Sequence, residues 1–259
     1  MENDNKIEPA EGSVQKESWA DTLRTVIYAV LIALVIRTVA YEPFNIPSES
    51  MLPTLLVGDY LFVDKNAYGF SKHSLPFSPP LFEGRIFESP VERGDVVVFK
   101  LPRDNSTDYI KRIVGIPGDK LQVRKGVLHI NGDAVPKVVT DKFPYPDGGE
   151  NIFQYPQYVE TLPNGVTHNT LDLVVKGELD DTRIFVVPEG FYFAMGDNRD
   201  NSVDSRVSPT SGGVGLIPAE NLVGRAEILF FSTNGDAAWW QVWKWPWAIR
   251  YSRLFNSID

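Results

Sequence analysis

The order of apolar and polar positions divides the chain into unlike stretches. Residues 1–21 are polar and acidic with interspersed Pro and Gly, a composition that buries too little surface to fold, and read as a cytoplasmic, solvated tail. The run "LRTVIYAVLIALVIRTVAY" follows, with twelve uncharged residues between Arg24 and Arg37. Twelve is short of the roughly 20 that a bilayer-spanning helix needs, but an Arg37 that snorkels to the interface lengthens the span. A transmembrane anchor is therefore predicted over 22–41. A cleaved signal peptide and a buried core helix fit less well, because the preceding region is long and acidic and Arg37 sits where a cleavage site would begin. Lys6, Lys16 and Arg24 precede the span, whereas the next basic residue after Arg37 is Lys65, which orients the N-terminus to the cytoplasm and the rest outside.

From Glu92 the pattern changes to short apolar runs with turn residues between them: "RGDVVVFKL", "YIKRIVGI", "KLQV", "VLHI", "DAV". Asn131-Gly132 and Lys125-Gly126 are hairpin signals between such runs. Amphipathic helical stretches are lacking after the anchor, except in the C-terminal segment, so an α/β crossover fold is disfavoured. The fold class expected is mainly β: an N-terminal transmembrane helix, then an antiparallel β-sheet domain over 42–137 and 183–259. An inserted β subdomain is expected over 138–182, where "KFPYPDGGE", "LPNG" and "KGELDD" mark loops between short apolar pieces. Strand character returns at "RIFVVPEGFYFAMG" and "LVGRAEILFFS". Two aromatic-rich segments stand apart, "YGFSKHSLPFSPPLFEGRIF" and "WWQVWKWPW", the second holding five of the six tryptophans. Contact with a membrane interface and packing on the domain's own core both suit them.

A formal net charge of -9 argues against a nucleic-acid partner, which calls for clustered Lys and Arg. The absence of cysteine excludes thiol catalysis, disulfides and Cys-type metal sites. His73, His129 and His168 have no metal-ligand spacing, so neither a metal nor another cofactor is expected.

In "PSESMLPTL", Pro47 and Pro53 bracket two serines and stiffen the backbone on both sides, which suits a nucleophile that must be presented without loss of entropy. A serine hydroxyl needs a base, and none of the three histidines lies in a polar constellation that would supply one. In "DYIKRIVG", strand alternation sets Tyr109, Lys111 and Ile113 on one face and Ile110, Arg112 and Val114 on the other. An exposed lysine titrates near 10.4, and burial between large apolar neighbours lowers that value. The pattern alone equally fits a strand lysine that snorkels to water.

Together "PSESMLPTL", "GDVVVFKLP", "DYIKRIVGIPGD" and "GDNRDNSVDSR" resemble the ordered motif set of the bacterial type I signal peptidases of Gram-negative type, over about Thr22 to Phe231. That resemblance implies a membrane-bound serine endopeptidase that removes signal peptides from exported preproteins, with small residues preferred at the first and third positions before the cut. It implies Ser50 as nucleophile and Lys111 as general base of a Ser/Lys dyad. Ser48 is implied as oxyanion donor beside the Ser50 backbone N–H, Ser202 as the lysine's hydrogen-bond partner, and Gly196, Asp197, Asp204 and Arg206 as support. Phe44, Ile46, Met51, Leu55, Tyr109 and Ile110 are implied to line shallow substrate pockets. The partners implied are preprotein signal peptides, membrane lipid and the secretion machinery, and the location is the bacterial inner membrane, single-pass, with the catalytic domain periplasmic. Two departures from the family pattern stand out: Glu49 replaces the glycine common between the two serines, and "VSPTSGGVG" after Arg206 is longer than the usual aromatic link. Two rival readings are a self-cleaving protease of the repressor type, for which the N-terminus offers no DNA-binding domain, and a membrane-tethered β-domain that binds a protein partner without catalysis.

Overall fold

A computed structural model describes residues 19–75, 78–79, 81–146, 152–174, 176–238 and 240–258. Residues 1–18 of the expected tail, and Trp239 of the tryptophan-rich segment, lie outside the described residues. Helix α1 (Trp19–Val39) leads into the sheets. A seven-stranded sheet runs β1 (Tyr41–Asn45), β2 (Asp59–Asp64), β14 (Leu222–Ser232), β3 (Val96–Lys100), β4 (Asp108–Gly115), β12 (Phe191–Met195) and β13 (Ile217–Pro218) from edge to edge. A four-stranded sheet has the order β11 (Phe185–Val186), β5 (Lys120–Arg124), β6 (Val127–Ile130) and β7 (Asp133–Ala134). The third sheet is β10 (Thr167–Leu171), β9 (Ile152–Thr161) and β8 (Lys137–Pro146). The strand pairs are antiparallel.

The mainly β architecture follows the pattern of short apolar runs, and the two hairpin signals have a physical basis in the backbone. Lys125 and Gly126 join β5 to β6 with φ of 50° and 73°, and Asn131 and Gly132 join β6 to β7 with φ of 57° and 98°. Positive φ at both central residues gives the turn the twist that adjacent strands require.

The expected transmembrane anchor is overturned: among the described residues no helix is long and apolar enough to cross a membrane. The charges carried by α1 are the reason. Asp21 and Arg24 occupy its first turns and Arg37 its last, and the twelve residues between the arginines rise only about 18 Å. A hydrocarbon core measures roughly 30 Å. The helix does form, as a run rich in Leu, Ala, Ile and Val predicts, and its apolar side chains from Leu23 to Ile32 are exposed.

β3 shows how the seven-stranded sheet is covered on both faces. Its residues Val96 to Phe99 are all buried, so "VVVF" is a continuous apolar run because both faces are covered. Val97 and Phe99 join Tyr68, Ile113, Tyr192 and Ile217 on one face, while Val96 and Val98 join Ile46, Met51, Leu55, Leu61 and Leu229 on the other. A third cluster, built on Val114, Leu121, Leu128, Leu162 and Phe193, links the four-stranded sheet to the edge of the large one.

Candidate active site

The turn that carries Ser48 and Ser50 lies between β1 and β2, and its own apolar residues fasten it. Met51 and Leu55 are fully buried in the core between the strands, and Leu55 N–H donates to the Met51 carbonyl at 2.9 Å. The loop closes where Ile46 N–H donates to the Asp59 carbonyl at 2.8 Å and Gly58 N–H donates to the Ile46 carbonyl at 3.0 Å. Gly58 is required there, since its φ is +88° and a Cβ would lie 2.1 Å from the Thr233 carbonyl oxygen. The Leu52–Pro53 peptide is cis.

β4 brings Lys111 to this turn. Its Nζ lies 2.6 Å from Ser50 Oγ and donates to the Ile110 carbonyl at 2.7 Å. The lysine is 3% exposed and Ser50 8%, so water is largely excluded from the pair. Burial lowers the Lys111 pKa to about 8, against the opposing pull of the Asp204 and Asp197 carboxylates. The strand lysine is therefore buried, and the snorkelling alternative fails at this position. Ser48 Oγ is 3.4 Å from Ser50 Oγ, on the exposed side of the turn.

The segment Gly196–Arg206 backs the pair. Asn198 N–H donates to the Ser50 carbonyl at 3.1 Å, which draws the two segments together. The contact needs glycine at 196: a Cβ there would lie 2.3 Å from Ser202 Oγ and 2.4 Å from the Ser50 carbonyl oxygen. Ser202 Oγ is buried with no hydrogen-bond partner among the described residues. Asp204 accepts from Gly196 N–H at 3.0 Å and from Arg206 Nε and Nη2 at 2.9 and 2.8 Å. Burial alone would raise the Asp204 pKa, but Arg206 and the backbone donors hold it below the ordinary carboxylate range.

Of the residues implied to line pockets, Ile46, Met51 and Leu55 are buried core residues, whereas Phe44, Tyr109 and Ile110 are half-buried. The β12 pairing of β4 begins at Arg112, so the Asp108–Lys111 half of β4 has no partner strand on that side among the described residues.

Two supporting groups escaped the sequence reading. Arg112 is fully buried and donates to Asp197 through Nε at 3.0 Å and Nη2 at 2.9 Å, and to the Gly94 carbonyl at 2.7 Å. Asp197 also accepts from Thr54 Oγ1 at 2.6 Å, so this ion pair joins β4, the serine turn and the backing segment. Glu160 of β9 holds Arg199 through two bonds of 2.8 Å, with His168 Nε2 3.8 Å from the same carboxylate. The only signal for either in the sequence was an arginine in each polar motif; the partners are 85 and 39 residues away.

The Asp172, Asp180 and Asp200 carboxylates lie within 4.8 Å of one another, and Lys137 Nζ contacts Asp172 there. His73 and His168 are buried with other partners, His73 Nδ1 against Ser78 Oγ and His168 Nε2 against Arg199 and Glu160, and burial lowers the His168 pKa to about 4, so it is neutral at pH 7. Exchanging all three histidines for glutamine is expected to leave most cleavage activity. Loss of turnover in a folded triple variant would return the base assignment to histidine.

The chain is similar to known proteins over most of its length. The family model described as "Signal peptidase, peptidase S26" matches residues 19–231. A signal peptidase I of Rickettsia typhi is 39% identical over 250 residues, covering 89% of this chain and 90% of the relative. One from Rickettsia akari is 36% identical, covering 100% and 98%. A solved signal peptidase I from Enterococcus faecalis covers 53% of this chain and 97% of its own, at 23% identity and a TM-score of 0.30, too low to add to the argument. The chain belongs to the signal peptidase family, peptidase S26, and is a serine endopeptidase that removes signal peptides from preproteins at the membrane.

Proposed function

We propose that Ser50 is the nucleophile of this peptidase and that neutral Lys111 is its general base. The single observation that carries the reading is the 2.6 Å contact between Lys111 Nζ and Ser50 Oγ in a nearly dry setting. As an ammonium, Nζ donates to the hydroxyl oxygen; as an amine, its lone pair accepts the hydroxyl proton at the same separation. Oγ then attacks the carbonyl before the cut, and the proton passes to Nζ. The oxyanion is taken by the Ser50 N–H and the Ser48 hydroxyl. Lys111 returns the proton to the leaving amine, and water repeats the cycle on the acyl-serine. Ser202 is assigned to orient the amine as it changes charge; its buried Oγ makes no hydrogen bond to Lys111 in this structure and keeps its bonding capacity open. Gly196, Asp197, Asp204 and Arg206 hold the backing segment in register.

The substrate binds extended. The unpaired half of β4 beside Lys111 offers main-chain groups for an added strand, and half-buried Phe44, Tyr109 and Ile110 are the residues assigned to meet its small side chains. The substrates are signal peptides of preproteins delivered by the secretion machinery, and cleavage takes place on the periplasmic face of the inner membrane. Exposed Trp240, Trp243 and Trp247 support contact with lipid.

The test is Ser50→Ala in the full chain. It is expected to fold normally and to leave a preprotein uncut, with a loss of at least about 10⁴-fold, as for removal of a nucleophile in comparable dyads and triads. A new N-terminus produced by that variant at a rate near the parent's would reject the assignment.

A further inference from the structure

Glu49 stands between Ser48 and Ser50, and its carboxylate is held from a different sheet. Tyr145, near the end of β8, donates its hydroxyl to Glu49 Oε2 at 2.5 Å. Asn201 Nδ2 donates to the same oxygen at 3.1 Å and to the Tyr145 hydroxyl at 3.0 Å. The Tyr145 ring is itself fixed edge-on against Tyr155 of β9, with centroids 5.9 Å apart. Asn198 Nδ2 donates to the Glu49 carbonyl at 3.2 Å, so backbone and side chain are both tied down. Burial and the bond to Glu49 raise the Tyr145 pKa, which keeps the phenol a neutral donor.

The donors of this clamp are neutral, and both bonds end on Oε2. Among the described residues no Lys, Arg or His nitrogen lies within 4.0 Å of the carboxylate. Four other carboxylates around the site, Asp197, Asp204, Glu160 and Asp172, are each paired with a cation. Glu49 is half-buried, one residue from the reacting hydroxyl, and keeps an oxygen with open acceptor capacity. A charge fixed in one rotamer without a counter-ion acts on what binds beside it more strongly than a mobile surface charge does.

We propose that Glu49 is a specificity-determining residue that favours a cationic side chain and disfavours an acidic one next to the scissile bond, with Tyr145 and Asn201 as the positioning residues that fix its carboxylate. The inference rests on Ser50 being the nucleophile. The first and third positions before the cut are restricted to small residues, so the charge is read at the second position before the cut or the first after it.

The experiment uses the full chain and two sets of preproteins, one varied as Lys, Gln or Glu at each of those two positions. The kcat/KM ratio of the Lys to the Glu substrate is taken on one enzyme preparation, so the folded fraction cancels. The parent is expected to prefer Lys on the order of tenfold at one of the two positions, an effect that shrinks as salt is raised. Glu49→Gln, which keeps an acceptor for both donors, should bring that ratio to within about twofold of unity, and Tyr145→Phe should move it partway. Equal ratios in the parent and Glu49→Gln at both positions would overturn the proposal. A Tyr145→Phe enzyme that slows all three substrates alike with the ratio intact would remove Tyr145 from it. Failure of the nucleophile assignment would look different: Ser50→Ala would then cleave, whatever the substrate's charge.

Discussion

Lys111→Met is expected to abolish turnover and, near neutral pH, to leave the protein more stable than its parent. The two outcomes have one cause. Burial holds the folded-state pKa of Lys111 at about 8, below its ordinary 10.5. Between those values the unfolded chain binds a proton that the folded chain has lost, so stability rises with pH across that window. Below about pH 8 the full penalty for the depressed lysine applies, on the order of 3 kcal/mol. Methionine has nearly the same length and no charge, and it removes the penalty. It also forfeits the bonds to Ser50 and to the Ile110 carbonyl, each worth about 1 kcal/mol. A net gain of roughly 1 kcal/mol is expected at pH 6 to 7, shrinking as pH rises above about 8 and turned into a net loss by about 10.5. Denaturant midpoints of the two proteins across pH would show it. For the parent, only the neutral amine accepts the serine proton, so the rate should climb through a midpoint near 8. A limb that rises only near 10.5, or cleavage by Lys111→Met, would remove the lysine from the mechanism.

Asp197→Ala carries the largest expected cost to folding. It deprives Arg112, which is fully buried, of the carboxylate that accepts two of its bonds. Breaking one side of a buried ion pair costs about 3–5 kcal/mol, a large part of a typical domain's 5–15 kcal/mol. Burial alone would raise the Asp197 pKa, and Arg112 and Thr54 hold it below the ordinary value. That stability is present at neutral pH and is lost as pH falls through the depressed folded-state value, so the parent should lose it only in strong acid. Asp197→Ala should unfold at markedly lower denaturant at pH 7, whereas the double variant Arg112→Met, Asp197→Leu should recover most of the loss. A single variant within about 1 kcal/mol of the parent would show that the pair is peripheral.

The apolar runs and the two-residue turns made the strands and hairpins readable, because both are local properties of a few neighbours. The same reading located Ser50 and Lys111 through resemblance, while alternation alone could not tell whether the lysine was buried or reached water. It was also blind to the Arg112–Asp197 pair: β4 alternation assigned Arg112 to the face away from Lys111, but said nothing of a carboxylate 85 residues on. Glu160–Arg199 and Glu49–Tyr145 escaped for the same reason, since each is settled by how separate sheets meet. The anchor was misjudged on a quantity, not a pattern: the run is apolar enough for a helix, and its flanking charges leave too little length to span hydrocarbon.

β14, which follows the other strands in chain order among the described residues, lies in the middle of the large sheet. It alone joins β2, which flanks the serine turn, to β3, which carries the lysine strand alongside. Without β14 the serine turn and the lysine strand would share no sheet and would be held together only by loop and side-chain contacts such as Thr54–Asp197–Arg112. The long loop that β14 closes makes this the slow, non-local step of assembly. The hydrogen-bonded sheet that sets the spacing of Ser50 and Lys111 is therefore continuous only once β14 has joined it.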